Sequence, residues 1–171
     1  MAKNNRSPDK GQSVVARRGF IKGAAIAGLS VAALPIASAQ SPPSPPSDER
    51  VILDFWDAWG SRNEAAIMSF FRDDATYHNI PVAPVVGATA IRATVHAFLQ
   101  LFLTVRIETI SIAAERGVVH TERIDHFGVA NGNVVNLPVA GTLYLCYGKI
   151  LLWRDYFDLA TFEAQSGVVL S

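Results

Sequence analysis

The chain has 171 residues, half of them hydrophobic, with 15 Lys and Arg against 15 Asp and Glu. That balance hides a division: six of the basic residues and one acidic residue fall within the first 39, leaving nine basic and fourteen acidic side chains in residues 40–171. An acidic remainder without a basic stripe argues against nucleic acid or an anionic membrane as partner. Its 132 residues suit one compact domain and are too few for two. The single cysteine, Cys146, has no partner for an internal disulfide and sits among apolar and aromatic residues, where packing is its expected role.

Residues 1–39 combine a basic head, the small apolar run Gly23 to Ala39 and a terminal Ala37-Ser38-Ala39. This is the pattern of a signal peptide cleaved near Gln40, and the run is too short and too rich in Ala and Gly for a membrane span. Within it, Ala16-Arg17-Arg18-Gly19-Phe20-Ile21-Lys22 resembles the twin-arginine export signal, with Ala16 where a Ser or Thr usually stands. The expected location is therefore outside the cytoplasm, periplasmic or secreted. Residues 40–47, Gln40-Ser-Pro-Pro-Ser-Pro-Pro-Ser47, form a stiff linker to a domain over 48–171.

In that domain, Asp48 to Gly60 places Val51, Ile52, Phe55, Trp56 and Trp59 at helical spacing, with Ser47 or Asp48 as cap. Asn63 caps a second helix expected to run through Ala65, Ile67, Met68 and Phe71. Ala75 to Asn79 reads as a short strand ahead of Pro81 and Pro84. A third helix follows Gly87 and carries Ile91, Val95, Phe98, Leu99 and Phe102. Four long strands are predicted next, at Val105–Glu115, Val118–Phe127, Val134–Leu145 and Lys149–Phe157. Asn131-Gly132-Asn133 and Tyr147-Gly148 supply turns, and Gly141 suggests a bulge or sharp bend. Helices followed by long strands make an α+β fold: a strongly curved mixed β-sheet forming a cone, with helices packed on its concave side.

Strand alternation places the charged residues. Val119, Thr121, Arg123, Asp125 and Phe127 share one face, and Asp155 shares its face with Trp153 and Leu151. Two carboxylates and one guanidinium among apolar neighbours make a cluster that can be buried because it is internally satisfied. Desolvation and like-charge repulsion can hold one of the two carboxyls protonated while the other stays ionised. By pattern alone, such a cluster serves equally as a structural salt bridge in a hollow sheet or as a paired acid and base.

The motif series is more specific. Thr76-Tyr77-His78-Asn79-Ile80-Pro81, Glu122-Arg123-Ile124-Asp125, Leu137-Pro138-Val139-Ala140-Gly141 and Trp153-Arg154-Asp155-Tyr156-Phe157-Asp158 resemble, in order, the motifs of limonene-1,2-epoxide hydrolases. The similarity spans roughly Asp48 to Leu159. The resemblance implies a fold like that of ketosteroid isomerase and nuclear transport factor. It also implies one-step hydrolysis of an epoxide to a vicinal diol, without metal, cofactor or covalent intermediate. Asp155 would activate a water held by Tyr77 and Asn79, Asp125 would protonate the epoxide oxygen, and Arg123 would bridge the carboxylates. The expected partners are a small hydrophobic epoxide and water, and a homodimer is compatible with the reading. Leu99, Leu103, Leu137, Val139, Leu151 and Trp153, with Phe102, are candidates for the apolar substrate-binding wall.

Other groups have plainer readings. His126 should point to the opposite face from Asp125. His120, Glu122 and His126 share that face with a spacing a metal would accept, yet no further ligand accompanies them. Asp158 suits a cap, Arg154 a surface charge, and the Phe55, Trp56, Trp59 stripe a core. No G-x-S-x-G, G-x-G-x-x-G, P-loop or H-E-x-x-H motif occurs. Two rival functions stay open: an isomerase or cyclase of the ketosteroid-isomerase or polyketide-cyclase type, and a non-catalytic small-ligand-binding protein.

Overall fold

The computed structural model describes residues 46–170. The basic head and apolar run, on which the export reading rests, lie outside the described residues. Helix α1, Asp48–Gly60, starts where the Ser47 hydroxyl accepts from the Arg50 N–H at 3.2 Å. Asp48 and Glu49 complement the positive end of the helix dipole, and Val51, Ile52, Phe55, Trp56 and Trp59 form its buried face. Asn63 caps α2, Glu64–Met68, by accepting from the Ala66 N–H at 3.0 Å.

The second helix is shorter than its apolar pattern predicts, because Phe71 opens β1, Phe71–Asn79, instead of closing α2. From the strand, the Phe71 ring meets Phe55 edge-on at 5.4 Å and Trp153 at 6.2 Å, contacts that outweigh local helical spacing. After the two-residue strand β2, Val85–Val86, helix α3 covers Ala88–Leu101. Phe102, expected at the end of that helix, begins β3, Phe102–Glu115. Strands β4, Val118–Val129, β5, Val134–Cys146, and β6, Lys149–Tyr156, follow, and α4, Leu159–Ser166, closes the described chain. The last helix was not predicted. It is marked by Asp158, whose carboxylate accepts from the Thr161 N–H at 2.6 Å, and by Gly167 in the left-handed region.

The six strands form one mixed, curved, open sheet in the order β2-β1-β6-β5-β4-β3, with the helices on its concave side. Among the described residues, only β1 and β6 pair in parallel. Tyr147 and Gly148 both take positive φ, as a two-residue turn joining β5 to β6 requires. Arg116 and Gly117 do the same between β3 and β4.

Besides the larger shift between Phe71 and Thr76 in the β1–β6 pairing, three register shifts place one extra residue each in the ladders. Leu103 falls between the pairs Phe102–Val129 and Thr104–Gly128, Ile110 between Thr109–Arg123 and Ser111–Glu122, and Leu151 between Leu145–Ile150 and Tyr144–Leu152. A bulge re-phases the side chains that follow it, and all three apolar residues emerge exposed. By contrast, Gly141, expected to mark a bulge or bend, lies in an unbroken register between Thr121 on β4 and Asp155 on β6.

Candidate active site

Arg123, on the inward face of β4, is 1 % exposed and makes the centre of the cluster. Its Nε and Nη2 donate to the two oxygens of Asp125 at 2.9 and 3.2 Å. Its Nη1 and Nη2 donate to the two oxygens of Asp155 at 3.1 and 2.5 Å. The remaining Nη1 proton reaches the Thr121 hydroxyl at 3.3 Å, so all five guanidinium donors have acceptors. Above the plane, the Trp56 ring lies 4.7 Å from the guanidinium carbon, a cation–π contact inside the core. Burial alone would lower the Arg123 pKa, but Asp155 and Asp125 together drive it up, and the side chain keeps its charge.

The two carboxyls differ in their surroundings. Asp155 also accepts the Trp153 indole N–H at 2.7 Å, giving it three donors in all. Asp125 has only its two bonds to Arg123, and burial pushes its pKa above the usual carboxylate range despite the guanidinium beside it. The charge of Asp155 adds to that upward push.

Gly141 explains how the cluster fits. A Cβ at this position would stand 2.5 Å from Arg123 Nη1 and 2.8 Å from both Asp155 Oδ1 and Thr121 Oγ1. The residue is glycine because charged side chains from both neighbouring strands cross over its backbone, not because the strand bends.

The parallel pairing of β1 with β6 sets Tyr77 beside Trp153 and Asn79 beside Asp155. The Tyr77 and Trp153 rings stack with centroids 4.3 Å apart and planes at 24°. Burial, with Asp155 and Asp125 nearby, raises the Tyr77 hydroxyl above its ordinary pKa, against the opposing influence of Asn79 and Arg123, so it remains a donor. All five polar residues of the motif series thus lie in one patch of the concave face. Tyr77, Asn79, Asp125 and Asp155 line a cavity of about 490 Å³, while Arg123 lies behind them.

Of the apolar candidates, Leu137, Val139 and Trp153 line this cavity, as does Phe102. Leu99 is buried but outside the lining, where the adjacent Phe98 takes its place. Leu103 and Leu151 are 52 % and 37 % exposed and turned away, which corrects the expectation that they form the wall. Both are the extra residues of bulges, so uninterrupted alternation misplaces them. His126 does point outward, with Nδ1 2.6 Å from the Asn136 side-chain oxygen and Nε2 3.1 Å from a Glu108 oxygen. Thr121 and the Trp153 indole were not singled out as polar partners of the cluster. Their signal was present, since each lies two residues from a cluster member on the same strand face.

A model of the limonene-1,2-epoxide hydrolase catalytic domain matches residues 46–166. The chain belongs to this family. Among solved structures, a limonene-epoxide-hydrolase-like epoxide hydrolase of Mycobacterium tuberculosis is 24% identical, with TM-score 0.62, covering 69% of this chain and 88% of its own. A protein of Catenulispora acidiphila with a ketosteroid isomerase-like fold, in complex with trimethylamine, is 21% identical, with TM-score 0.62, 69% of this chain and 92% of its own. A Shewanella denitrificans protein assigned as a SnoaL-like polyketide cyclase is 13% identical, with TM-score 0.62, 69% of this chain and 95% of its own. At these identities the likeness establishes a shared fold, and that fold carries more than one chemistry. Membership of the limonene-1,2-epoxide hydrolase family rests on the domain match alone.

Proposed function

We propose that the protein hydrolyses an epoxide to a vicinal diol in one step, with Asp155 as base and Asp125 as acid. The observation that carries this reading is the asymmetric pair of buried carboxyls, bridged by one guanidinium at the wall of an apolar cavity. Asp155, with three N–H donors, is the better satisfied as an anion, and Asp125, whose pKa burial pushes upward, is assigned the proton. Family membership and the presence of Tyr77 and Asn79 beside Asp155 support the same assignment.

In the reaction, a water held by Tyr77 and Asn79 gives a proton to Asp155 as its oxygen attacks a ring carbon. The carbon–oxygen bond breaks, and Asp125 delivers its proton to the departing oxygen. Two hydroxyls result, and a proton passing from Asp155 back to Asp125 resets the pair. Arg123 stays protonated throughout and neutralises whichever carboxyl is charged. The export pattern of the first 39 residues adds the proposal that this chemistry takes place outside the cytoplasm.

Single turnover in heavy-oxygen water tests the mechanism. Direct attack by water places the label in the diol from the first turnover. Label that enters an enzyme carboxylate first would overturn the one-step route in favour of a covalent intermediate. A cyclase or isomerase would incorporate no solvent oxygen at all.

A further inference from the structure

The acidic groups of the cavity lie at one place, and Thr94 on α3 adds a single hydroxyl elsewhere on the wall. The cavity's sole ionisable lining residues are Tyr77, Asp125 and Asp155, which gather with Asn79 at the buried pole. The rest of the wall is almost entirely aromatic and aliphatic, and no charged side chain interrupts it. The opening is marked by lining residues that are themselves exposed: Ala93, Ala97 and Leu101, one turn apart on α3. Half-buried Val168 and Leu170, after α4, line the cavity from the C-terminal segment. The charged residues of α3 are drawn elsewhere, since Arg92 Nη1 and His96 Nδ1 both lie 3.0 Å from Glu64 oxygens on α2.

From this polarity gradient we propose that the natural substrate carries its epoxide at one end of a single extended apolar tail, which runs from the polar pole to the mouth on α3. The inference rests on the epoxide-opening reading and adds the shape and polarity of the substrate. A volume of 490 Å³ equals the space of roughly sixteen waters, at about 30 Å³ each. A compact ring epoxide occupies only the polar end and leaves water against the remaining apolar wall. A tail expels that water, and each methylene buried adds to affinity. Charged groups along the tail find no counter-charge on the wall and lose their hydration.

Trp59 and Trp153 line the cavity, so indole fluorescence of the purified chain reports occupancy without turnover. Terminal vicinal diols, the proposed products, are titrated in a series from about six to about fourteen carbons, with affinity expected to rise about twofold to fourfold per methylene. The rise should level off once the tail reaches the mouth, and a mid-tail carboxylate should reverse it. Ala97→Trp, on the exposed rim, should flatten the series at its long end. The matching series of terminal epoxides should show the same trend in kcat/KM. A cyclohexane diol that binds as tightly as the longest tail, or affinities independent of length, would overturn the proposal. A length dependence without any epoxide opening would support the tail and overturn the hydrolysis.

Discussion

Two arginine–carboxylate pairs on neighbouring strands of this sheet have the same separation and opposite consequences. Arg123 and Asp125 lie 2.9 Å apart on the concave face, with side chains 1 % and 9 % exposed. Arg106 and Glu108 also lie 2.9 Å apart, but 62 % and 49 % exposed. The Glu108 carboxyl is held below its ordinary pKa by hydrogen bonds from Arg106 and then His126, whereas burial drives Asp125 above its own. Contact with a guanidinium therefore does not decide which way a carboxyl's pKa moves. Solvation does: water supports the Glu108 anion, and its exclusion lets desolvation exceed the attraction of Arg123.

The contrast can be broken at several points. Asp155→Asn and Asp125→Asn remove the proposed base and the proposed acid, and each should lower epoxide turnover by about 10²- to 10⁴-fold. Near-ultraviolet circular dichroism should remain native in both, so that loss of activity is separated from loss of fold. Near-normal turnover by either variant would show the roles to be misassigned.

Arg123→Ala leaves two buried carboxyls without their shared partner, and urea unfolding should show a loss of about 3–5 kcal/mol. On the other face, Glu108→Gln should shift the unfolding midpoint only slightly, because that pair is exposed and screened. Equal effects from the two substitutions would erase the distinction between the faces. Gly141→Ala tests the crossing of the cluster over β5. Its Cβ overlaps Arg123 Nη1, and displacement of the guanidinium should cost about 1–3 kcal/mol, with a lower kcat.

Acid and base titration should sharpen the same comparison. Because the folded pKa of Asp125 is raised, its favourable contribution to stability is complete below the ordinary carboxylate range and is lost as pH rises through the raised value. The alkaline limb of kcat/KM should follow the same group, falling as Asp125 gives up its proton. Glu108, with a lowered pKa, contributes in the reverse sense: its part is present above the ordinary value and lost as pH falls through the lowered one. Exposure keeps that second effect small, the least of those expected here.

Much of the candidate site is legible in the amino-acid sequence. The two-residue period of β4 carries Arg123 and Asp125 inward and His126 outward, and the same period keeps Tyr77 with Asn79 on β1. Caps at Ser47 and Asn63 were equally readable, since each acts on a backbone N–H three residues away. Residues such as Leu103 and Leu151 were not, because their side-chain direction depends on where the partner strand shifts register.

The amino-acid sequence by itself determined the order of helices and long strands, the residues able to form a satisfied buried cluster, and the family. These are properties of short segments and of motif order along the chain. Tertiary structure alone decided which strands became neighbours. Only the parallel pairing of β1 with β6 brings Asn79 beside Asp155, and only the flat register at Gly141 lets Arg123 and Asp155 meet across β5. The physical reason is that alternation is local, while register and solvent exclusion are set by elements far away in the chain. The difference between Asp125 and Glu108 is of that second kind.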